Sequence, residues 1–233
     1  MLFPAPLVRG RLVRRYKRFL ADVVLDDGRE IVAHCANPGA MLGVAPVDAE
    51  VWLSPSLNPA RKLAWSWELV RMGAGLVGIN TAWPNPLAEE AIRAGAIPEL
   101  AGYHTVAREV RYGRNSRIDL LLEAPDRPIC YGEVKNVHLS RGDGLAEFPD
   151  CVTLRGAKHL LELADMVATG YRAVMLYVVQ REDCDRFRTA ADFDPAYHAG
   201  LKVARAAGVE ALAYGCRVTV EGIRIDRKLE VLA

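Results

Sequence analysis

Six short β-prone runs crowd into residues 8–79, and near residue 80 the pattern changes to helices alternating with strands. The early runs cover 8–16, 19–25, 30–36, 50–53, 63–70 and 76–79. Asp26-Asp27-Gly28, Asn37-Pro38-Gly39 and Ser54-Pro55-Ser56 separate them as turns. Strands this short and this numerous fit a small closed barrel, and an OB-type barrel is the most economical form.

Beyond residue 80, a helix over 85–94 carries Leu87, Ala91 and Ala94 on one stripe and stops at Gly95. Strand-like runs follow at 106–112, 117–123 and 129–137, then a helix over 153–168 that Gly170 ends. A buried strand over 173–179, a helix over 195–207 and terminal strands from 209 complete the chain. The expected fold class is α+β, with an OB-like β-barrel over 1–80 and an α/β domain over 81–233. The order in that second domain is αβββαβ with further additions.

Its second and third strands carry Arg117-Ile118-Asp119 and Glu133-Val134-Lys135 across the turn Ala124-Pro125-Asp126-Arg127-Pro128. A hairpin centred near Asp126 sets Asp119 opposite Glu133 within a residue of register. Strand alternation puts Glu133 and Lys135 on one face. Two carboxylates this close repel unless a cation or a proton lies between them. With the lysine beside them they suit Mg²⁺ or Mn²⁺ and an attacking water, as phosphodiester hydrolysis requires. Alone, Glu-x-Lys is a common cross-strand ion pair of little energetic value. The order of elements decides for the site.

That order is the one found in the PD-(D/E)XK, restriction-endonuclease-like core, which takes one acid from the second strand and Glu-x-Lys from the third. Asp119 and Glu133 are then the metal ligands and Lys135 the group that orients water and stabilises phosphoryl charge. Glu90, beside Leu87 and Ala91 at helical spacing, is the helix acid such a core often adds, and Glu89 is expected to point elsewhere. Ile118 stands where the motif has proline, which coordinates nothing.

The formal net charge is only +1, so distribution says more than total. Residues 1–80 hold 10 Lys and Arg against 7 Asp and Glu. Arg9, Arg11, Arg14, Arg15, Lys17 and Arg18 form a run without an acid, interleaved with Tyr16 and Phe19. Arg14, Arg15, Lys17 and Arg18 are candidate nucleic-acid contacts on a barrel type that binds strands by stacking and backbone contact. Alternation forbids one shared face for the whole run unless a bulge intervenes. Arg117, Arg155, Lys158 and His159 join the candidates, the last three as a phosphate cradle at a helix start. Arg155, Lys158 and His159 read equally well as a solvated basic helix end.

The five cysteines are scattered, with no Cys-x-x-Cys, and read as reduced thiols of a cytoplasmic protein. No run reaches membrane-spanning length, so no membrane partner is expected. A homodimer is compatible with the sequence.

Five segments taken together resemble the sugar fermentation stimulation protein family. They are Arg15-Tyr16-Lys17-Arg18-Phe19-Leu20-Ala21-Asp22, His34-Cys35-Ala36-Asn37-Pro38-Gly39-Ala40-Met41, Ser116-Arg117-Ile118-Asp119, Tyr131-Gly132-Glu133-Val134-Lys135-Asn136-Val137, and the stretch 148–160. The resemblance implies an N-terminal OB-like domain, a PD-(D/E)XK-like C-terminal domain, DNA binding that is largely sequence-independent, and a regulatory part in sugar (maltose) metabolism. Three functions stay open: a DNA-binding Mg²⁺-dependent deoxyribonuclease, a non-catalytic DNA-binding regulator on the same fold, and, more weakly, a sugar or nucleotide binder. No Gly-rich phosphate loop favours the third.

Overall fold

A computed structural model describes residues 1–112 and 116–232. The first sheet contains β1 (Val8–Tyr16), β2 (Leu20–Leu25), β3 (Glu30–Cys35), β4 (Glu50–Pro55), β5 (Trp65–Met72) and β6 (Gly75–Gly78). Antiparallel pairs join β3-β2-β1-β4-β5, and β3 pairs in parallel with β5 to close the ring. Five strands thus make a closed OB-like barrel, filled by Leu12, Val23, Leu53 and Trp67. The register of β1 against β2 shifts between Leu12 and Arg14. This bulge sets Arg14 on the same outward row as Arg9 and Arg11.

After the barrel come α1 (Pro84–Arg93), a 3₁₀ turn (Pro98–Leu100), β7 (Thr105–Tyr112), β8 (Ser116–Glu123) and β9 (Cys130–Val137). Short strands β10 (Leu139–Ser140) and β11 (Leu145–Phe148) precede α2 (Leu154–Ala168) and β12 (Arg172–Val179). Then follow β13 (Arg186–Thr189), α3 (Pro195–Ala206), β14 (Glu210–Val218) and β15 (Ile223–Val231). All nine strands from β7 onward form one mixed sheet, ordered β10-β11-β13-β15-β14-β12-β9-β8-β7. The wholly apolar centre of β12 pairs in parallel with both β9 and β14, as a strand covered on both faces should.

Each face of this sheet has its own core. Leu87, Ala91 and Ile92 of α1 pack on Leu120, Val134 and Leu176. On the opposite face, Leu160 and Leu163 of α2 and Tyr197 and Leu201 of α3 pack on Met175 and Tyr177. Leu69 and Leu76 of the barrel belong to the α1-side core, so apolar packing continues from barrel to sheet. Gly78 N–H also donates to Gln180 O at 2.8 Å across that junction.

The start of α2 is fixed by side-chain caps. Thr153 Oγ1 accepts from Gly156 N–H at 3.1 Å, while Thr153 N–H donates to Asp194 Oδ2 at 2.7 Å. Asp194 Oδ1 meanwhile caps α3 through Tyr197 N–H. Replacing Thr153 with alanine removes one cap and is expected to cost about 1 kcal/mol. A urea titration should show a lower midpoint with an unchanged slope.

Candidate active site

The hairpin of β8 and β9 runs in the register Leu120↔Gly132, Leu121↔Tyr131 and Leu122↔Cys130. One step further, Asp119 stands opposite Glu133, and there the main-chain ladder gives way to a side chain. Asp119 Oδ2 accepts from Val134 N–H at 2.8 Å. On the other edge, β7 pairs Arg108↔Leu120 and Val110↔Ile118, but Glu109 between them has φ 56°. A non-glycine residue held there costs about 1–3 kcal/mol, and such positions cluster at functional sites. Both ladders open at Asp119.

Glu133 is 2 % exposed and closely held. Lys135 Nζ lies 2.6 Å from its Oε1, and His159 Nδ1 bonds the same oxygen. His159 Nε2 accepts from Arg155 Nε at 3.3 Å, so the ring proton sits on Nδ1 and points at the carboxylate. Glu133 Oε2, also buried, has no hydrogen-bond partner among the described residues. One oxygen is anchored twice and the other is left over.

The two carboxyls respond to this setting in opposite directions. Burial, then the charge of Glu133, pushes Asp119 above its ordinary range, against hydrogen bonds from Val134 N–H and Asn85. Burial pushes Glu133 up as well, but the His159 hydrogen bond and the Lys135 charge outweigh it and hold Glu133 below its ordinary range. Burial and then the charges of Glu133, Glu162 and Asp119 raise the Tyr112 phenol. A site that raises one acid by another's charge, and leaves a buried carboxylate oxygen unpartnered, fits a cation.

Among the described residues, no three His, Cys, Asp or Glu side chains surround one point. A divalent ion here would therefore rest on two carboxylates, Asp119 and Glu133, with waters filling the remaining positions. Mg²⁺ commonly binds in this way.

The sequence candidates divide into groups. Asp119, Glu133, Lys135 and His159 come together. Arg155 stands behind His159, and Lys158 bonds Ser116 Oγ at 3.1 Å and approaches Glu162 at 3.4 Å. Arg117 is exposed on β8. Glu90 does not join them: it takes the Met1 ammonium at 2.6 Å and is half exposed. The helix face toward Asp119 bears Asn85, whose Nδ2 donates to Asp119 Oδ1 at 2.9 Å and reaches Glu109 Oε1 at 3.4 Å. Glu89, one turn along from Asn85, makes no contact with Asp119 or Glu133. It is committed to Arg93 and Arg108.

On the barrel, Arg14 pairs with Asp22 at 2.7 Å and lies over Tyr16. Arg15 turns inward and donates to the carbonyls of Asn37, Gly39 and Ala40. Lys17 and Arg18 form the exposed β1–β2 turn, both at positive φ. Asn85 and Glu109 carried no sequence signal, since one is a helix-start polar residue and the other a strand acid among several.

Comparison with known proteins adds identity to this geometry. Residues 13–79 match the SfsA N-terminal OB domain, and residues 82–222 match the sugar fermentation stimulation protein RE domain. A sugar fermentation stimulation protein homolog of Rhodospirillum centenum is 64 % identical over the full length of both chains. One from Paramagnetospirillum magneticum is 61 % identical over 98 % of this chain and 97 % of its own. Among solved structures, that of Pyrococcus furiosus SfsA in complex with Ca²⁺ is similar at a TM-score of 0.91 and 27 % identity, covering 100 % of this chain and 98 % of that one. No helix among the described residues is long and apolar enough to cross a membrane.

Proposed function

The chain belongs to the sugar fermentation stimulation protein family, and on that premise we propose that it is a DNA-binding, divalent-metal-dependent phosphodiesterase. One observation carries the reading: Asp119 and Glu133 converge where the sheet ladders open, with Lys135 Nζ 2.6 Å from Glu133 and one buried carboxylate oxygen unpartnered. The relative from Pyrococcus furiosus, solved with Ca²⁺, supports a cation in this fold. Mg²⁺ or Mn²⁺ is the proposed ion for this chain. When bound, such an ion supplies Lewis acidity and lowers the pKa of a coordinated water.

The chain's own residues do the rest. Asp119 and Glu133 would hold the ion. Lys135, its ammonium fixed against Glu133, would orient the attacking water and offset charge on the phosphoryl oxygens. His159, itself held by Arg155, keeps Glu133 Oε1 engaged and would leave Oε2 for the ion. Asn85 and the Val134 amide fix the rotamer of Asp119. A regulatory part in sugar metabolism, to which the relatives' names point, would then act through nucleic acid rather than through sugar recognition.

The test is direct. Purified protein with Mg²⁺ or Mn²⁺ is expected to cut plasmid or single-stranded DNA and to stop when EDTA is added in excess. No products with either ion would overturn the proposal and leave a non-catalytic DNA-binding regulator, and products unaffected by EDTA would overturn the metal's part in it.

A further inference from the structure

Three of the segments that stand out in the sequence meet at one place on the surface. Arg15, in the first, clamps the Asn37-Pro38-Gly39 loop of the second through three carbonyls, and its Nε donates to Arg18 O at 3.0 Å. That loop is bound in turn to the third: Met41 N–H donates to Asp150 Oδ2 at 2.8 Å. Gly39 is needed for this approach, since a Cβ there would stand 2.9 Å from both Asp150 carboxylate oxygens. The Cys151 thiol lies against the Ala40 main chain and in the field of Arg18. Three residues past Cys151, α2 begins, and its His159 bonds Glu133 in a fourth segment. The basic turn of the barrel is thereby braced against the start of the helix that holds the site.

What this braced surface exposes is consistent in kind. Lys17, Arg18 and Phe19 form the turn, with Phe19 47 % exposed and stacked on His34 at 17°. Directly after Cys151 in the chain, Val152 and Leu154 are 65 % and 82 % exposed, and Arg155 follows. Neither residues 9–21 nor residues 151–161 contain an acid. Exposed apolar side chains set among cations match a ligand with flat apolar faces on a polyanionic backbone. A duplex conceals its bases, and an unpaired strand displays them.

We propose that the β1–β2 turn and the start of α2 form one track for an unpaired nucleic-acid strand, with bases against Phe19, Val152 and Leu154 and phosphates on Lys17, Arg18 and Arg155. The track leads toward Asp119 and Glu133, which makes unpaired strand the substrate class of that site. This inference rests on the phosphodiesterase reading for its functional meaning, but not for its test.

The test measures binding in EDTA, where no cutting occurs, by fluorescence anisotropy of a labelled oligo-dT and of a duplex of equal length. The strand is expected to bind about tenfold or more tighter than the duplex. Phe19→Ala should weaken it about fivefold or more, the scale of one missing base stack, and Leu154→Ala should weaken it by a smaller factor. Lys17→Glu with Arg18→Glu should flatten the salt dependence by about 0.7 in log–log slope for each phosphate no longer neutralised. All these side chains are exposed, and a thermal melt confirms folding. Equal or tighter duplex binding, insensitivity to every variant, or binding only to anionic phosphatidylglycerol vesicles would overturn the track. Binding is read in EDTA whether or not the protein cuts with metal, so a track without cleavage and cleavage without a track give different results.

Discussion

Replacing Lys135 with alanine is expected to lower metal-dependent cleavage about thousandfold while the protein stays folded. The ammonium sits 2.6 Å from Glu133 Oε1, and its side chain is only 14 % exposed. Removing a preorganised electrostatic group from such a site costs about 10²–10³ in rate, and losing a group that positions the reacting proton costs about 10²–10⁴. Arginine should not rescue, because its planar fork cannot place one compact charge where Nζ stands. The variant should also carry a signature in pH. Lys135 helps hold Glu133 below its ordinary range, so without it Glu133 titrates higher and the acidic limb of the rate profile moves to higher pH. Single-turnover cleavage of a labelled oligonucleotide at saturating Mn²⁺ measures both effects. A rate within threefold of the parent, with an unmoved acidic limb, would reduce Lys135 to a cross-strand ion pair.

Much of this site could be read in the sequence because it depends on strand periodicity and hairpin register, which are local. The turn at 124–128 and the two apolar runs around it were enough to bring Asp119 to Glu133. The closed barrel was legible for the same reason, its strands being bounded by turn residues. Long-range partnering was not legible. Glu90 was placed by its neighbours Leu87 and Ala91, yet those face the core, and the site lies on the side of Asn85. Arg15 looked like one more cation in a basic run, but loop carbonyls distant in sequence accept its hydrogen bonds. His159 read as a phosphate ligand because it sits with Arg155 and Lys158 on the early turns of a helix. That it faces Glu133 depends on how α2 docks on β9, which periodicity does not state. Strands β10, β11 and β13 escaped because runs of two to four residues, the last two also carrying charges, give no alternation to count. They extend the sheet edge without touching the site.

Asp119→Asn is expected to stabilise the protein without metal and to abolish its stabilisation by metal. Burial and the Glu133 charge raise the folded-state pKa of Asp119 above its unfolded value. Such a group binds its proton more readily in the native state, so its stabilising effect is full below the unfolded pKa and is lost as pH rises through the folded one. At neutral pH the ionised Asp119 therefore counts against the metal-free fold. Glu133, shifted the other way, contributes stability above its unfolded pKa that is lost as pH falls through the folded one. Asparagine keeps the shape of Asp119, its amide oxygen can still accept from Val134 N–H, and Asn85 can turn its own oxygen to the new NH₂. What it removes is charge. For the parent, metal at a hundred times its dissociation constant adds about 2.7 kcal/mol. In a chain of this size that raises Tm by about 5–10 °C. Calorimetry at pH 7.5 in EDTA and in excess Mn²⁺ should show the asparagine variant melting above the parent in EDTA and gaining almost nothing from the metal. A variant that melts lower in EDTA yet keeps the full metal increment would place the ion away from Asp119, and Lys135 would then have no reacting water to orient.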